Sequence, residues 1–133
     1  MEIETEKIKK ILLAEKLENV LRSEVVQRTY HEFREYFEEN IELDRKLVKE
    51  AIETRILSFS VVEEFEQIAK EFYSDSVKVI ATDIDEDNDA VIYVYDKKDD
   101  TVKALQCLNS HKCEISLEEA LSWTVANYLR YDL

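Results

Sequence analysis

Apolar residues in the first half of the chain recur at the three- and four-residue steps of an α-helix. A first stripe runs from Ile8 to Leu21 and predicts one amphipathic helix. Ser23 follows this stripe and is a suitable N-cap for a second helix. The apolar positions of the second helix are Val26, Tyr30, Phe33 and Phe37. One long bent helix would produce nearly the same pattern, and two helices are the preferred interpretation.

Two further helices are predicted after Asn40, which tolerates the left-handed conformation and is expected to end the second helix. Asp44 is predicted to cap the third helix, and Ser60 with Glu63 forms an S-x-x-E capping box for the fourth. Their apolar positions are Leu47, Val48, Ala51, Ile52 and Ile56, then Val61, Phe65, Ile68 and Phe72. Because residues 55–62 are also rich in β-formers, a strand there stays open as an alternative.

After Tyr73 the pattern changes to β-branched runs separated by polar turns. The predicted strands are Val77–Ile84, Val91–Tyr95 and Val102–Leu108. These three strands most simply form an antiparallel meander. In the first strand, Val77 and Val79 are expected on one face and Ile80 and Ile84 on the other. Since neither face is cleanly polar, we expect helices to cover one face and a partner to meet the other.

The last segment predicts a closing helix. Ser116 and Glu119 form a second capping box, and the helix is expected to run from Leu117 to about Arg130. Its predicted buried positions are Leu117, Leu121, Val125 and Tyr128, with Trp123 at a boundary. The chain is therefore predicted to be a single α+β domain over residues 1–133. It has a helical part of three to four helices (1–73), a three-stranded β-meander (74–115) and a C-terminal helix (116–133).

The 133 residues include no glycine and no proline, although average usage would give roughly nine and roughly seven. This absence excludes glycine-rich phosphate-binding loops, dinucleotide-binding turns and the G-x-S-x-G nucleophile elbow. Glycine-based hairpin turns and helix ends are excluded as well. Asparagine residues such as Asn40 and Asn88, together with Ser and Asp caps, are expected to take the place of glycine.

The formal net charge is -13, from 31 Asp and Glu against 18 Lys and Arg, and the pI is about 4.6. This charge opposes direct binding to nucleic acid and to anionic membranes, because both require basic contact residues. Basic protein surfaces are the natural complement, and charge that serves solubility alone is the alternative.

The sequence also predicts the compartment. We see no run of 18 apolar residues, and the N-terminal residues do not have the pattern of a signal peptide. The two cysteines, Cys107 and Cys113, do not form a disulfide-dense framework. A cytoplasmic location with no membrane partner is therefore expected.

The aspartates from Asp83 to Asp89 share the D-x-D-x-D spacing that begins an EF-hand loop. Counting from Asp83, however, the sixth position is Asn88 instead of glycine and the twelfth is Val94 instead of a bidentate glutamate. The flanking segments are also predicted strands, whereas an EF-hand needs helices. A solvated hairpin turn is therefore preferred to a calcium site.

Histidine and cysteine offer two other candidate groups. Cys107, His111 and Cys113 have the spacing C-x3-H-x-C, which is not a common zinc pattern, and His31 lies far away in the chain. His31 and Glu35 share only the start of an H-E-x-x-H motif. The sequence therefore predicts no metal, no cofactor and no catalytic residue.

Two groups of carboxylates are predicted to contact a partner. The first is the turn with Asp83, Asp85, Glu86, Asp87 and Asp89, and the second is a helix face with Glu32, Glu35 and Glu39. Like charges at helical spacing do not stabilise a helix, and a regular row of them on a rigid frame can imitate the phosphates of a nucleic acid. A solvated helix face is the alternative interpretation.

The hypothesis from the sequence is a small, non-enzymatic binding protein that occludes a basic surface of another protein. The partner is expected to be a nuclease or another nucleic-acid-binding protein, as for immunity proteins and phage-encoded inhibitors. A self-associating structural or regulatory module, with a homodimer, is the first alternative, because the helical half has wide apolar stripes. An enzyme that uses carboxylates or a metal is the second alternative.

Overall fold

Two separate helices, joined at Ser23, begin the described part of the chain. The structure is a computed structural model that describes residues 17–57, 63–85, 87–109 and 111–133. Helix α1 spans Leu17–Arg22 and helix α2 spans Glu24–Phe33. Ser23 is extended, and its Oγ accepts a hydrogen bond from the Val26 N–H at 3.4 Å. The predicted N-cap and the preference for two helices are thereby confirmed.

Helix α2 ends earlier than the sequence predicts. It ends at Phe33, and Phe37 is already extended with ψ of 139°. The Tyr30 hydroxyl donates a hydrogen bond to the Ile41 carbonyl, and the Tyr30 ring contacts the Phe37 ring. These contacts draw the chain back onto the core. The prediction that Asn40 ends the helix in the left-handed conformation is therefore wrong, since Asn40 has no positive φ.

The third predicted helix is confirmed together with its cap. Helix α3 spans Arg45–Ile52, and Asp44 Oδ1 accepts a hydrogen bond from the Leu47 N–H at 2.9 Å. The four residues Leu47, Val48, Ala51 and Ile52 are buried, as their spacing predicts. A π-helical turn over Glu53–Leu57 continues α3.

Helix α4 spans Glu63–Phe72 and buries Ala69. Several predictions lie outside the described residues: the cap Ser60, the apolar position Val61, the choice between helix and strand over 58–62, and the apolar stripe before Leu17. For residues 55–57 the choice is decided in favour of helical structure.

In the described part of the chain, the sheet has four antiparallel strands in the order β1-β2-β3-β4. Their bounds are Val77–Ile84, Ala90–Asp96, Thr101–Leu108 and His111–Ile115. The antiparallel meander is confirmed, but the number of three strands is wrong. Strand β4 was missed because four of its five side chains are exposed and mostly polar, so it has no apolar alternation.

A β-bulge at Ile80 changes the faces of β1. The register pairs Val79 with Val94 and then Ala81 with Tyr93, so Ile80 is an extra residue on its strand. From Ala81 onward each side chain therefore lies on the face opposite to the one that alternation from Val77 predicts. The expectation that Ile80 and Ile84 share a face is wrong for this reason.

Helices cover both faces of the sheet. One face of the sheet belongs to a core in which residues of α1, α2 and α3 cluster with Ala81, Val91, Tyr93 and Ala104, and the π-helical turn after α3 contacts β1. Helix α4 packs against the other face, where Phe65, Ile68 and Ala69 meet Val79, Ile92 and Val94. The expectation that one face of the sheet is left open for a partner is therefore wrong for β1 and β2, which are covered on both faces. The α+β class is confirmed.

The last helix, α5, spans Leu117–Asn127 and belongs to the first of these two layers. The Ser116 Oγ accepts a hydrogen bond from the Glu119 N–H at 3.1 Å, so the predicted cap is confirmed. A π-helical turn over Tyr128–Asp132 continues the helix. Of the four predicted buried positions, Leu121, Val125 and Tyr128 are buried and Leu117 is half-buried. Several polar residues of α5 are buried as well, because the sheet and the other helices enclose it on more than one side.

Asparagine and aspartate replace glycine in the hairpins. Among the described residues, positive φ occurs at Asn88 (64°), Asp100 (56°) and Asn109 (56°). One of these three residues lies in each connection between neighbouring strands. Asn and Asp tolerate this conformation better than other residues with a Cβ atom, so the hairpins form without glycine.

Candidate functional site

A cleft of about 340 Å³ lies between the segment that follows α2, helix α3 and the C-terminal residues Tyr128 and Leu133. Its lining residues are Glu39, Ile41, Glu42, Asp44, Lys46, Leu47, Glu50, Tyr128 and Leu133. The apolar members come from three separate segments, and the acidic members come from the segment before α3 and from α3 itself. The cleft therefore combines an apolar lining with carboxylates.

The wall formed by residues 37–44 is anchored at both ends. At its start, the Phe37 ring lies 6.0 Å from the Tyr30 ring, centroid to centroid. In its middle, the Ile41 carbonyl accepts the hydrogen bond from the Tyr30 hydroxyl. At its end, Asp44 caps α3. Glu39 and Glu42 thus extend from a segment whose backbone is held in place, although it is neither helix nor strand.

The cleft is strongly acidic. Among the described side chains that line it, four carboxylates (Glu39, Glu42, Asp44 and Glu50) stand against one ammonium group, that of Lys46, which gives a formal charge of -3. All five side chains are exposed. Burial, together with the Glu50 and Asp132 carboxylates, raises the pKa of the Tyr128 hydroxyl, which stays neutral and able to donate a hydrogen bond.

Glu32, Glu35 and Glu39 do not share a helix face. Glu32 lies in the last turn of α2, Glu35 lies in the 3₁₀ turn over 34–36, and Glu39 lies beyond it in the cleft wall. All three side chains are exposed. The prediction that they form a regular row on one helix face is wrong, since α2 ends at Phe33.

The acidic turn between β1 and β2 is a compact loop. Asp85 Oδ1 accepts hydrogen bonds from the N–H groups of Asp87 and Asp89, at 2.9 and 3.1 Å. Asp87 is exposed, whereas Asp85 and Asp89 are half-buried, and the predicted contact residue Glu86 lies outside the described residues. One carboxylate oxygen from each of these three aspartates lies within 4.8 Å of the others. Of the described His, Cys, Asp and Glu side chains, this is the one group close enough to share an ion.

The prediction that Asp83 contacts a partner is wrong, because Asp83 is buried and only 2 % exposed. It accepts hydrogen bonds from Arg55 Nε and Nη2 on one oxygen and from Asn127 Nδ2 on the other. Burial raises the pKa of Asp83, and the Arg55 guanidinium opposes that shift. Asp83 is therefore part of the interior and not an exposed contact residue.

Arg55 was not singled out in the sequence, yet it bonds to residues that directly precede members of both acidic regions in the chain. Its Nη1 donates a hydrogen bond to Asp132 Oδ2 at 3.0 Å, and its Nη2 donates one to the Ile84 carbonyl at 3.3 Å. Asp132 directly precedes the cleft residue Leu133, and Ile84 directly precedes Asp85 of the acidic turn. The signal available in the sequence was a single arginine between the apolar positions Ile52 and Ile56.

The zinc interpretation also meets a geometric obstacle. The register pairs Cys107 with Lys112 and Gln106 with Cys113, so the two cysteines lie on opposite faces of the sheet. Cys107 is buried and Cys113 is exposed, and neither is in a disulfide. Burial raises the pKa of the Cys107 thiol, which disfavours the thiolate that binds zinc.

Comparison with protein-family models, with curated proteins and with solved structures found no match for the chain. In the described segments, every helix is too short or too polar to cross a bilayer. The function is therefore argued from the cleft and the acidic turn.

Proposed function

We propose that the protein is a small, non-enzymatic binding protein that occludes a basic surface of a partner protein through its acidic cleft. The partner surface is one that presents arginine or lysine side chains, as a nuclease or another nucleic-acid-binding protein does. The proposed compartment is the cytoplasm, where two unpaired cysteines stay reduced.

The combination of carboxylates and apolar surface in the cleft is the observation that carries this proposal. Arginine and lysine have a charged end on an apolar stem, so they suit a site with both properties. Carboxylates such as Glu39 and Glu42 would accept charge-assisted hydrogen bonds from guanidinium groups. Ile41 and Leu47 would pack against the methylene groups.

The wider charge distribution supports the same proposal. The charge of Arg55 is neutralised by Asp83 and Asp132, which lie in the chain just before the acidic turn and just before the cleft residue Leu133. The buried pairing of this arginine leaves the exposed carboxylates without competition from it. A net charge of -13 would also speed the encounter with a basic partner.

The test compares two variants with equal net charge. The cleft variant carries Glu39→Gln, Glu42→Gln and Glu50→Gln, and the matched control carries Glu63→Gln, Glu64→Gln and Glu71→Gln on the exposed side of α4. Each immobilised protein is incubated with an extract of the source cells, and bound basic proteins are eluted with salt and quantified by mass spectrometry. The strongest captured protein is then purified and titrated against each variant.

We expect the cleft variant to bind that partner about tenfold more weakly than the control, because three exposed ion pairs contribute about 0.2–1 kcal/mol each. The wild-type complex should weaken as salt rises. DNA should compete for the partner if the occluded surface binds nucleic acid. Equal losses in both variants would mean that only net charge matters, and this result would overturn the assignment to the cleft.

A further inference from the structure

Strand β4 has an open edge. It pairs with β3 on one side, and among residues 17–57, 63–85, 87–109 and 111–133 no strand pairs with its other side. The side chains of His111, Lys112, Cys113 and Glu114 are exposed. An exposed edge strand presents unpaired backbone N–H and C=O groups that can pair with another strand.

The hairpin register shows which backbone groups are available. β3 ends at Leu108, β4 begins at His111, and these two residues are paired across a two-residue connection. In such a hairpin the closing pair exchanges both hydrogen bonds, and the pairs then alternate along the ladder. Cys113 consequently bonds toward β3, whereas the backbone groups of Lys112 and Glu114 face outward.

We propose that β4 pairs antiparallel with β4 of a second copy of this chain, around a twofold axis that passes beside Cys113. The two sheets then form one continuous eight-stranded sheet. In this register Lys112 lies opposite Glu114 of the second copy, and Glu114 lies opposite its Lys112. Cys113 lies opposite Cys113 of the second copy.

Charge selects this register. A twofold axis perpendicular to the sheet keeps each side chain on its own face, so only alternate registers are possible. A shift in one direction places Lys112 opposite Lys112, and a shift in the other places Glu114 opposite Glu114. Like charges directly opposite each other destabilise a strand pair, whereas opposite charges stabilise it.

The orientation of Glu114 supports the pairing. Tyr73, which follows α4, donates a hydrogen bond from its hydroxyl to Glu114 Oε1 at 2.7 Å. This bond positions the carboxylate over the face that β4 shares with α4 and leaves Oε2 available for the lysine of the second copy. Lys112 and Glu114 lie on the same face, because their partners Cys107 and Leu105 both contribute to the core beneath α4.

Charge-reversal complementation tests the register. Lys112→Glu gives a chain with two acidic residues on the edge, and Glu114→Lys gives a chain with two basic residues. Each variant alone would place like charges opposite twice, so we expect each to dimerise at least about tenfold more weakly than the wild type. An equimolar mixture restores both opposite-charge pairs and should recover the dimer. Sedimentation or light scattering at about 0.15 M salt, where long-range repulsion is screened, measures the mass.

Loss of the fold is distinguished by thermal unfolding of each variant, since Glu114→Lys also removes the bond to Tyr73. Recovery of the dimer in the mixture is possible only if both variants are folded. A wild-type protein that stays monomeric at every concentration tested, or a mixture no more associated than its separate components, would overturn the proposal. The cleft variants should dimerise normally, so this result is independent of the proposed function.

Cross-linking through Cys113 gives a second readout. Non-hydrogen-bonded antiparallel pairs have Cα atoms about 4.5 Å apart, which a disulfide can bridge. Oxidised glutathione would accept the two electrons as the two thiols lose their protons and join, and two molecules of reduced glutathione would leave. We expect rapid cross-linking in the wild type, none in Cys113→Ser, and slow cross-linking in Lys112→Glu. Equal rates in the wild type and Lys112→Glu would indicate random collision and contradict the pairing.

Discussion

Arg55 donates two hydrogen bonds to a single oxygen of Asp83, from Nε at 2.9 Å and from Nη2 at 2.8 Å. The pair is almost completely buried and joins the π-helical turn after α3 to the end of β1. Asn127 of α5 also approaches Asp83, at 3.4 Å. Three elements that are distant in the sequence therefore meet at one ion pair.

Removing one member of this pair should be strongly destabilising. Asp83→Ala leaves the Arg55 guanidinium largely without its buried counter-charge, and we expect a loss of about 3–5 kcal/mol in the free energy of unfolding. Arg55→Ala should have a similar effect. The double variant Arg55→Ala with Asp83→Ala should cost less than the sum of the two single losses, since no buried charge of the pair is left alone. Urea unfolding of the four proteins measures this, and additive losses would show that the pair does not act as a unit.

The ion pair between Lys103 and Asp96 in the β2–β3 hairpin should make the free energy of unfolding depend on pH. The Lys98 N–H, then the Lys103 ammonium, lower the pKa of Asp96 below its usual 3.8. A carboxylate with a lowered pKa in the folded state stabilises the fold above pH 3.8, and this contribution is lost as the pH falls through the folded-state pKa. Lys103→Met should therefore be less stable than the wild type at pH 7, with a difference that narrows below about pH 4.

The control for this prediction is Lys97→Met, which removes the same charge from an exposed neighbouring position. Chemical unfolding at pH 7, 5, 4 and 3 compares the three proteins. A gap between Lys103→Met and Lys97→Met that is constant across this range would contradict the role of Lys103, because a pairing effect must vanish when Asp96 is protonated.

Tyr30→Phe should loosen the wall of the cleft. The substitution keeps the ring contact with Phe37 but removes the donor to the Ile41 carbonyl. We expect a cost of about 1 kcal/mol, concentrated in residues 37–44, and thus roughly fivefold faster local opening. A protease that cleaves after glutamate should cut this segment correspondingly faster, for example at the exposed Glu42.

Tyr36→Phe is the matched control for that experiment. Tyr36 is 74 % exposed, and its ring contacts Phe33. Its substitution should leave the cleavage rate unchanged. Equal acceleration by both substitutions, or none by Tyr30→Phe, would show that the Tyr30 hydroxyl does not hold the cleft wall.

Features that depend on a few neighbouring residues could be predicted from the sequence. Ser23, Asp44 and Ser116 each cap a helix by accepting a bond from an N–H three residues later, so the signal and its effect lie in the same short segment. The exchange of glycine for asparagine at Asn88 follows from the same local logic. The acidic character of the surface follows from composition alone.

Tertiary contacts decided the rest. The chain that follows the end of α2 at Phe33 is held by the hydrogen bond from Tyr30 to Ile41, eleven residues away. The bulge at Ile80 exists only relative to the register with β2. The same bulge places Asp83, which was predicted to be an exposed carboxylate, on the sheet face where it meets Arg55. Each of these features depends on groups that are brought together by folding, so the periodicity of the sequence does not predict them. The sequence by itself determined the helix starts at Ser23, Asp44 and Ser116, the first two hairpins and the charge. The tertiary structure decided where α2 ends, which carboxylates are buried and which line the cleft.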